Sequence, residues 1–257
     1  MPMICIRPVL WAGSEGSRPH PLSTSESPLQ FTSILEGDSP FQDTLERVSD
    51  PEFLPPLIIT TPSLKKIVED QCHEIAYDYE DLILLEEDAQ SAAALKAAAV
   101  WSKEHGEDFP IFFTPCDHFI ADQGAFMRAV TEAAYTAQQG YLVSFGVVAE
   151  GVQTAYSYIE VGDRLDTGYA GHSVRQFVET PDVEAVQALL EKGRTVWHAG
   201  LVCATPDMVN AHLKSEQTVE AALLAENDKL CVVSLLTAWA DLKTWPGIWK
   251  TLSLAAL

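Results

Sequence analysis

Positive charge is what this chain has least of. Its 257 residues carry 16 Lys and Arg against 37 Asp and Glu, a formal charge of -21 at pH 7. That balance excludes a sequence-independent grip on nucleic acid or on an anionic membrane surface. A polyanionic ligand has to be met by a local cluster of cations. Cysteine is sparse and odd in number. Cys5, Cys72, Cys116, Cys203 and Cys231 show no CxxC spacing and mostly sit in apolar, strand-like runs. Buried, reduced thiols in a cytoplasmic setting are therefore expected. No run reaches the roughly 18 apolar residues of a membrane-crossing helix, and the N-terminus lacks the apolar stretch of a signal peptide. No membrane partner is expected.

What is present is ordinary globular material, 47% apolar and 21% charged, in a length that buries about three quarters of its unfolded surface. Buried-strand runs are expected at Met3–Leu10, Pro56–Thr60, Asp81–Leu85, Pro110–Phe113, Tyr141–Val148, Ser173–Val178, Val196–Cys203 and Leu230–Leu236. Apolar residues at three- and four-residue spacing predict helices at Pro40–Val48, Ser63–Ala76, Ala89–Lys103 and Gln123–Gln139. Strands alternating with helices imply a mostly parallel sheet covered on both faces, with ligands at the carboxyl ends of the strands. The segments TAYSYIEVGD and SVRQFVETP add strands around a glycine-containing stretch, residues 167–172. They are expected to form a smaller subregion closing over the first half. No fixed-period repeat occurs, and residues 13–27 form the one long loop-like span. Such a loop in a compact domain is more often functional than accidental.

Six stretches carry more than pattern: PVLWAGSEGSRPHPLSTSESPLQF, PCDH, TAYSYIE, FVETPD, WHAG and WADLKTW. In order and spacing they resemble the landmarks of mannose-1-phosphate guanylyltransferases, across nearly the whole chain. The resemblance implies a single nucleotidyltransferase-like domain over residues 1–257, a three-layer α/β/α, Rossmann-like fold with a mixed, mostly parallel sheet. Relatives often continue into a further domain, so the chain would be the catalytic core. It also implies the reaction: a sugar 1-phosphate attacks the α-phosphorus of a nucleoside triphosphate and pyrophosphate leaves. Such a reaction needs two polyanions positioned and their charge neutralised.

The resemblance assigns Asp117 and Asp241 to Mg²⁺, a donor set of hard oxygens that suits this ion. Asp after a strand is also a common cap or turn former. His118 beside Asp117 lacks the His or Cys partners that zinc requires. Ala12, Gly13, Gly16, Ser17 and Arg18 match the phosphate-binding turn, with Arg18 catalytic alongside Asp117, and Glu86 matches an acidic residue on the nucleotide side. Tyr156, Glu179, His198 and Gly200 fall at the sugar-binding positions. Several positions depart from the family. Glu15 stands inside the turn, where a carboxylate roughly 5 Å from a phosphate charge would cost about 3 kcal/mol at an effective dielectric near 20. Leu29 and Thr180 stand where the family has phosphate-binding lysines, and His198 stands where it has an asparagine. Arg175 and Lys243 lie near the right motifs to compensate. Two readings follow: a diverged enzyme that makes GDP-mannose or a relative, or a non-catalytic nucleotide-sugar-binding or regulatory paralogue. A homo- or hetero-oligomer is compatible with both.

Overall fold

A computed structural model describes residues 4–13, 22–24, 28–34, 37–224 and 228–255. Gly16, Ser17, Arg18 and Glu15 of the opening turn lie outside the described residues.

The chain runs through β1 (Arg7–Trp11), a single 3-10 turn at Leu29–Phe31, α1 (Pro40–Arg47), β2 (Leu57–Thr60), α2 (Lys65–Glu74), β3 (Asp81–Leu84), α3 (Ser91–Glu104) and β4 (Ile111–Pro115). It continues through β5 (His118–Ile120), α4 (Gln123–Ala137), β6 (Leu142–Val148), β7 (Tyr158–Arg164), β8 (His172–Val178) and α5 (Val183–Glu191). It ends with β9 (Thr195–Ala204), α6 (Pro206–His212), α7 (Val219–Leu224), β10 (Leu230–Ser234), β11 (Trp239–Asp241) and α8 (Trp245–Ala255). All eight strand runs expected from the sequence overlap a strand, and the four expected helices are present with ends shifted by at most two residues. The short strands β5 and β11 leave no trace in the sequence pattern, because three residues are too few for an apolar alternation to register.

Nine strands form one sheet in the order β3-β2-β1-β4-β9-β6-β10-β8-β7. Their pairings are parallel from β3 to β4 and between β6 and β10, and antiparallel elsewhere. Followed across the sheet, these pairings leave only β8 and β9 running against the rest, so the sheet is mixed and mostly parallel in direction. The hairpin β7–β8 does not form a separate layer over the first half. It extends the same sheet, because β8 pairs with β10 and β7 with β9.

The three layers follow from the two-residue period of a strand. On β4, Phe112 belongs to the cluster packed under α1, α2, α4 and α5, while its neighbour Phe113 belongs to the cluster packed under α3, α6 and α7. Both rings are buried, and removing each from water stabilises the fold by about 2–3 kcal/mol. Helix starts are set locally: Asp122 accepts the Ala125 N–H at 2.8 Å, and Ser39 forms a reciprocal cap with Gln42. Such caps are worth about 1 kcal/mol each.

Candidate active site

Asp117 and Asp241 meet because two short strands pair. Asp117 follows the end of β4, and β5 begins at the next residue. Strand β11 pairs antiparallel with β5, setting Asp241 opposite His118, and the Leu242 N–H then donates to the Asp117 carbonyl at 2.9 Å. Donor atoms of Asp117, His118 and Asp241 consequently lie within 4.8 Å of one another, the only such cluster among the described residues. One hydrated ion can bridge that span.

The electrostatics of the corner are specific. Lys243 Nζ sits 3.3 Å from Asp117 Oδ2, while Asp117 Oδ1 is buried without a hydrogen-bond partner. A buried, unsatisfied carboxylate oxygen carries a desolvation cost that a cation would relieve. Burial pushes the Asp241 carboxyl up to about 6; Lys243 opposes the rise and Asp117 adds to it. Lys243 itself is held above the ordinary lysine range: burial lowers it, but Asp117, Asp241 and Glu220 outweigh the burial. Burial drives His118 down to about 3, so its ring is neutral. These residues fit a divalent ion with hard oxygen donors.

Two cavities meet at this corner. The larger, about 550 Å³, is lined by Trp11, Phe113 and residues 87–91 on one side and by Thr218 and Val219 on the other. The smaller, about 150 Å³, is lined by Tyr156, Glu179, Thr180, His198, Trp239 and Asp241 among others. Pro115, Gly200, Glu220 and Lys243 line both. Gly200 has φ +72°, and a Cβ there would lie 2.7 Å from His118 Cε1. Only glycine allows the strand to pass the imidazole so closely.

The residues expected at the sugar are brought together. Tyr156 lies edge-on to Trp197 and Trp239, at ring separations of 5.0 and 5.4 Å, and its hydroxyl contacts Thr244 Oγ1 at 3.2 Å. His198 Nδ1 is 2.7 Å from Ser144 Oγ, its Nε2 has no hydrogen-bond partner, and burial lowers its pKa. Glu179 and Thr180 form the rim, and Thr180 has φ +37°.

On the nucleotide side, Gly13 accepts a hydrogen bond from Gln30 Nε2 at 2.7 Å, and a Cβ at Gly13 would run into the Trp11 ring. The Ala12 N–H donates to Ile59 O, so the sheet uses it. Glu86 is exposed and does not line the larger cavity; its neighbours Glu87 and Asp88 do. Leu29 is buried with Leu242 and Ile248 beneath α8 and does not face the corner. Arg175 is drawn to Asp163 at 3.4 Å and lines neither cavity. Of the two compensating cations suggested by the sequence, Lys243 is at the site. Sequence reasoning misses Glu220 and Trp11, since a carboxylate on a six-residue helix and a tryptophan on a buried strand carry no local signature of a site.

Residues 7–256 match the Nucleotidyl transferase family. The chain belongs to the nucleotidyl transferase family. It is 31% identical to a protein of Sinorhizobium fredii named mannose-1-phosphate guanylyltransferase, over 95% of this chain and 54% of that relative. It thus spans about half the length of that curated relative. A Thermus thermophilus structure described as a mannose-1-phosphate geranyltransferase superposes with a TM-score of 0.80 at 22% identity, covering 94% of this chain and 77% of that one. A Helicobacter pylori structure described as a mannose-6-phosphate isomerase gives 0.77 at 20% identity, covering 93% and 100%. The structural likenesses establish the shared α/β fold. As a nucleotidyl transferase, the chain carries Asp117 just past the carboxyl end of β4, where such folds place ligands, and the small β5–β11 sheet brings Asp241 to it.

Proposed function

We propose that residues 1–257 act as one sugar-1-phosphate nucleotidyltransferase unit of the mannose-1-phosphate guanylyltransferase type, joining mannose 1-phosphate to GTP. The observation that carries this reading is the Asp117–Asp241 pair standing where two cavities of different size share Lys243 and Gly200. The larger has room for a nucleoside and the smaller for part of a hexose. Asp117 and Asp241 would hold Mg²⁺, with His118 alongside. When bound, the ion supplies charge neutralisation to phosphate oxygens.

The chain's own contributions are positional. Gly13, with Ala12 behind it, keeps the mouth of β1 open for backbone approach to phosphate. Arg18, Gly16 and Ser17 are assigned to the triphosphate by resemblance alone. Glu86 keeps its nucleotide-side assignment only as a neighbour of the cavity wall. Lys243 faces both cavities and is placed to steady the sugar phosphate as its oxygen attacks the α-phosphorus. The new bond is sugar-phosphate oxygen to α-phosphorus; the bond broken is α-phosphorus to the pyrophosphate oxygen, whose electron pair leaves with pyrophosphate. Tyr156, Glu179, His198 and Gly200 surround the sugar. All five cysteines are free and four are buried, which favours a reducing, cytoplasmic setting. Among the described residues no helix is long and apolar enough to cross a membrane.

One observation favours the weaker, non-catalytic reading. Lys243 is the only Lys or Arg among the described residues lining either cavity. Pyrophosphate release from GTP and mannose 1-phosphate with Mg²⁺ separates the two. Turnover that drops about 10²–10³-fold in Asp117→Ala, the scale of losing one organised electrostatic contact, supports the enzyme. Thermal stabilisation by the ligands without turnover assigns the chain to binding, and neither effect sinks both readings.

A further inference from the structure

The smaller cavity has more negative charge than an uncharged sugar ring can use. Among the described residues, Asp241, Glu179 and Glu220 line it, with Asp117 directly beside, against the single ammonium of Lys243. A divalent ion at Asp117 and Asp241 leaves Glu179 and Glu220 in the lining with only Lys243 as a cation among the described residues, and the sugar phosphate then brings further negative charge. Burial raises the Glu179 carboxyl, and repulsion from Glu220 raises it more. Hydroxyl groups would accept this arrangement without neutralising it.

An independent feature points into the same space. His198 is 4% exposed, Ser144 holds its Nδ1, and its Nε2 has no hydrogen-bond partner. The nearest carboxylate oxygen, Glu220 Oε1, stands 3.9 Å away, beyond hydrogen-bond reach. A buried polar atom is left unsatisfied at a cost unless a ligand group meets it. The wall between Glu179 and Glu220 thus combines two anions with a neutral polar nitrogen.

We propose that this cavity takes the 1-phosphate of an amino sugar, its ammonium seated between Glu179 and Glu220 and beside His198 Nε2. The inference rests on the nucleotidyltransferase reading and names the substrate class of its sugar site. The phosphate end is met by Lys243 and the Asp117–Asp241 corner; the cationic end supplies positive charge that the described lining carries only at Lys243. An N-acetylated amine, being neutral, forfeits that gain.

Titration calorimetry on the full chain with Mg²⁺ tests this with 2-, 3- and 4-amino-hexose 1-phosphates, the parent glucose and mannose 1-phosphates, and N-acetylglucosamine 1-phosphate. At least one amino isomer should bind about tenfold tighter than its hydroxyl parent, the scale of one charge-assisted hydrogen bond. Glu179→Gln and Glu220→Gln should each pull that ratio towards one. Glu179 lies exposed at the rim, so its variant should fold, and the wild-type comparison needs no variant. Parent sugars that bind as tightly as every amino isomer would overturn the inference and leave the proposed function standing. If no sugar 1-phosphate binds while the chain is folded, both fall.

Discussion

The two cavities that share Lys243 are built by different means. The smaller is framed largely by regular structure: the β5–β11 pairing sets Asp241 against His118, and β9 pairs His198 with Gly146 of β6, Gly200 lying at the irregularity that follows in the same ladder. The larger is framed by turns, by the first residues of α3 and by the Thr218–Val219 segment, where the Val219 N–H donates to Ser91 Oγ at 3.0 Å. Strand register fixes a side chain to within a fraction of an ångström because every neighbouring hydrogen bond depends on it. Turns depend on single residues. The Asp117–Asp241 corner is therefore the part of the site most sensitive to a backbone change, and the larger cavity the part most open to sequence drift.

Gly200→Ala gives the largest effect expected from this contrast. The alanine must hold φ +72° while its methyl pushes a buried His118 ring that packs edge-on to Trp239 at 5.4 Å. Left-handed strain of about 1–2 kcal/mol together with overpacking of about 1–3 kcal/mol predicts a loss of roughly 2–5 kcal/mol in urea unfolding. A loss below about 1 kcal/mol would mean that the ring yields easily and that register does not protect the corner.

The two positions where the resemblance implies lysine sharpen the comparison. Leu29 is 4% exposed and packs with Leu242 and Ile248, so the position where the resemblance implies a phosphate-binding lysine is an apolar contact between the opening segment and α8. Leu29→Lys should destabilise by about 2–3 kcal/mol, from lost packing and a poorly solvated ammonium. Thr180 lines the smaller cavity and is exposed. Thr180→Lys should leave stability within about 1 kcal/mol and raise turnover. Equal unfolding midpoints for the two variants would show that Leu29 is not a fixed element of the core.

Much of this was legible in the sequence, and the reasons differ by region. The long strands and α1–α4 show through because apolar spacing over many residues reports a buried face. Asp117 and Asp241 were recognisable as a pair only through their motifs; the pairing that joins them involves three residues per strand. Leu29 reads as a lost charge in sequence, and only packing shows that its replacement has a partner in Leu242. Glu220 sits on a short helix far along the chain, and its place at both cavities depends on tertiary contact alone.

Asp241 yields a pH effect of intermediate size. Its carboxyl is raised from 3.8 to about 6, chiefly by burial, so the folded state holds a proton that the unfolded chain has released. Its contribution is fully present below about pH 4 and is lost as pH rises through about 6. Asp241→Asn should therefore be more stable than the wild type above pH 6 without metal, by about 1–2 kcal/mol after discounting for partial exposure. The difference should vanish near pH 4, and Mg²⁺ should erase it at pH 7 by stabilising the wild type alone. Chemical denaturation at pH 4, 6 and 8, with and without Mg²⁺, measures this. A variant less stable than the wild type at pH 8 without metal would show that Lys243 already compensates the charge.

The smallest effect belongs to the rim. Thr180 holds φ +37°, a region that a β-branched residue avoids because its Cβ crowds the backbone carbonyl, at a cost of about 1–2 kcal/mol. Glycine removes that strain but loses about 0.5–1 kcal/mol more chain entropy on folding. Thr180→Gly should thus gain about 0.5–1 kcal/mol, and Asn, which tolerates the conformation while keeping a side chain, should gain a similar amount. The gain should come with weaker sugar-phosphate binding for glycine, since a looser turn no longer holds Glu179 against the cavity. Thermal unfolding and calorimetry on both variants separate strain from function. A glycine variant that is less stable than the wild type would mean that contacts of the threonine outweigh the strain, making the rim a rigid part of the site like the corner below it.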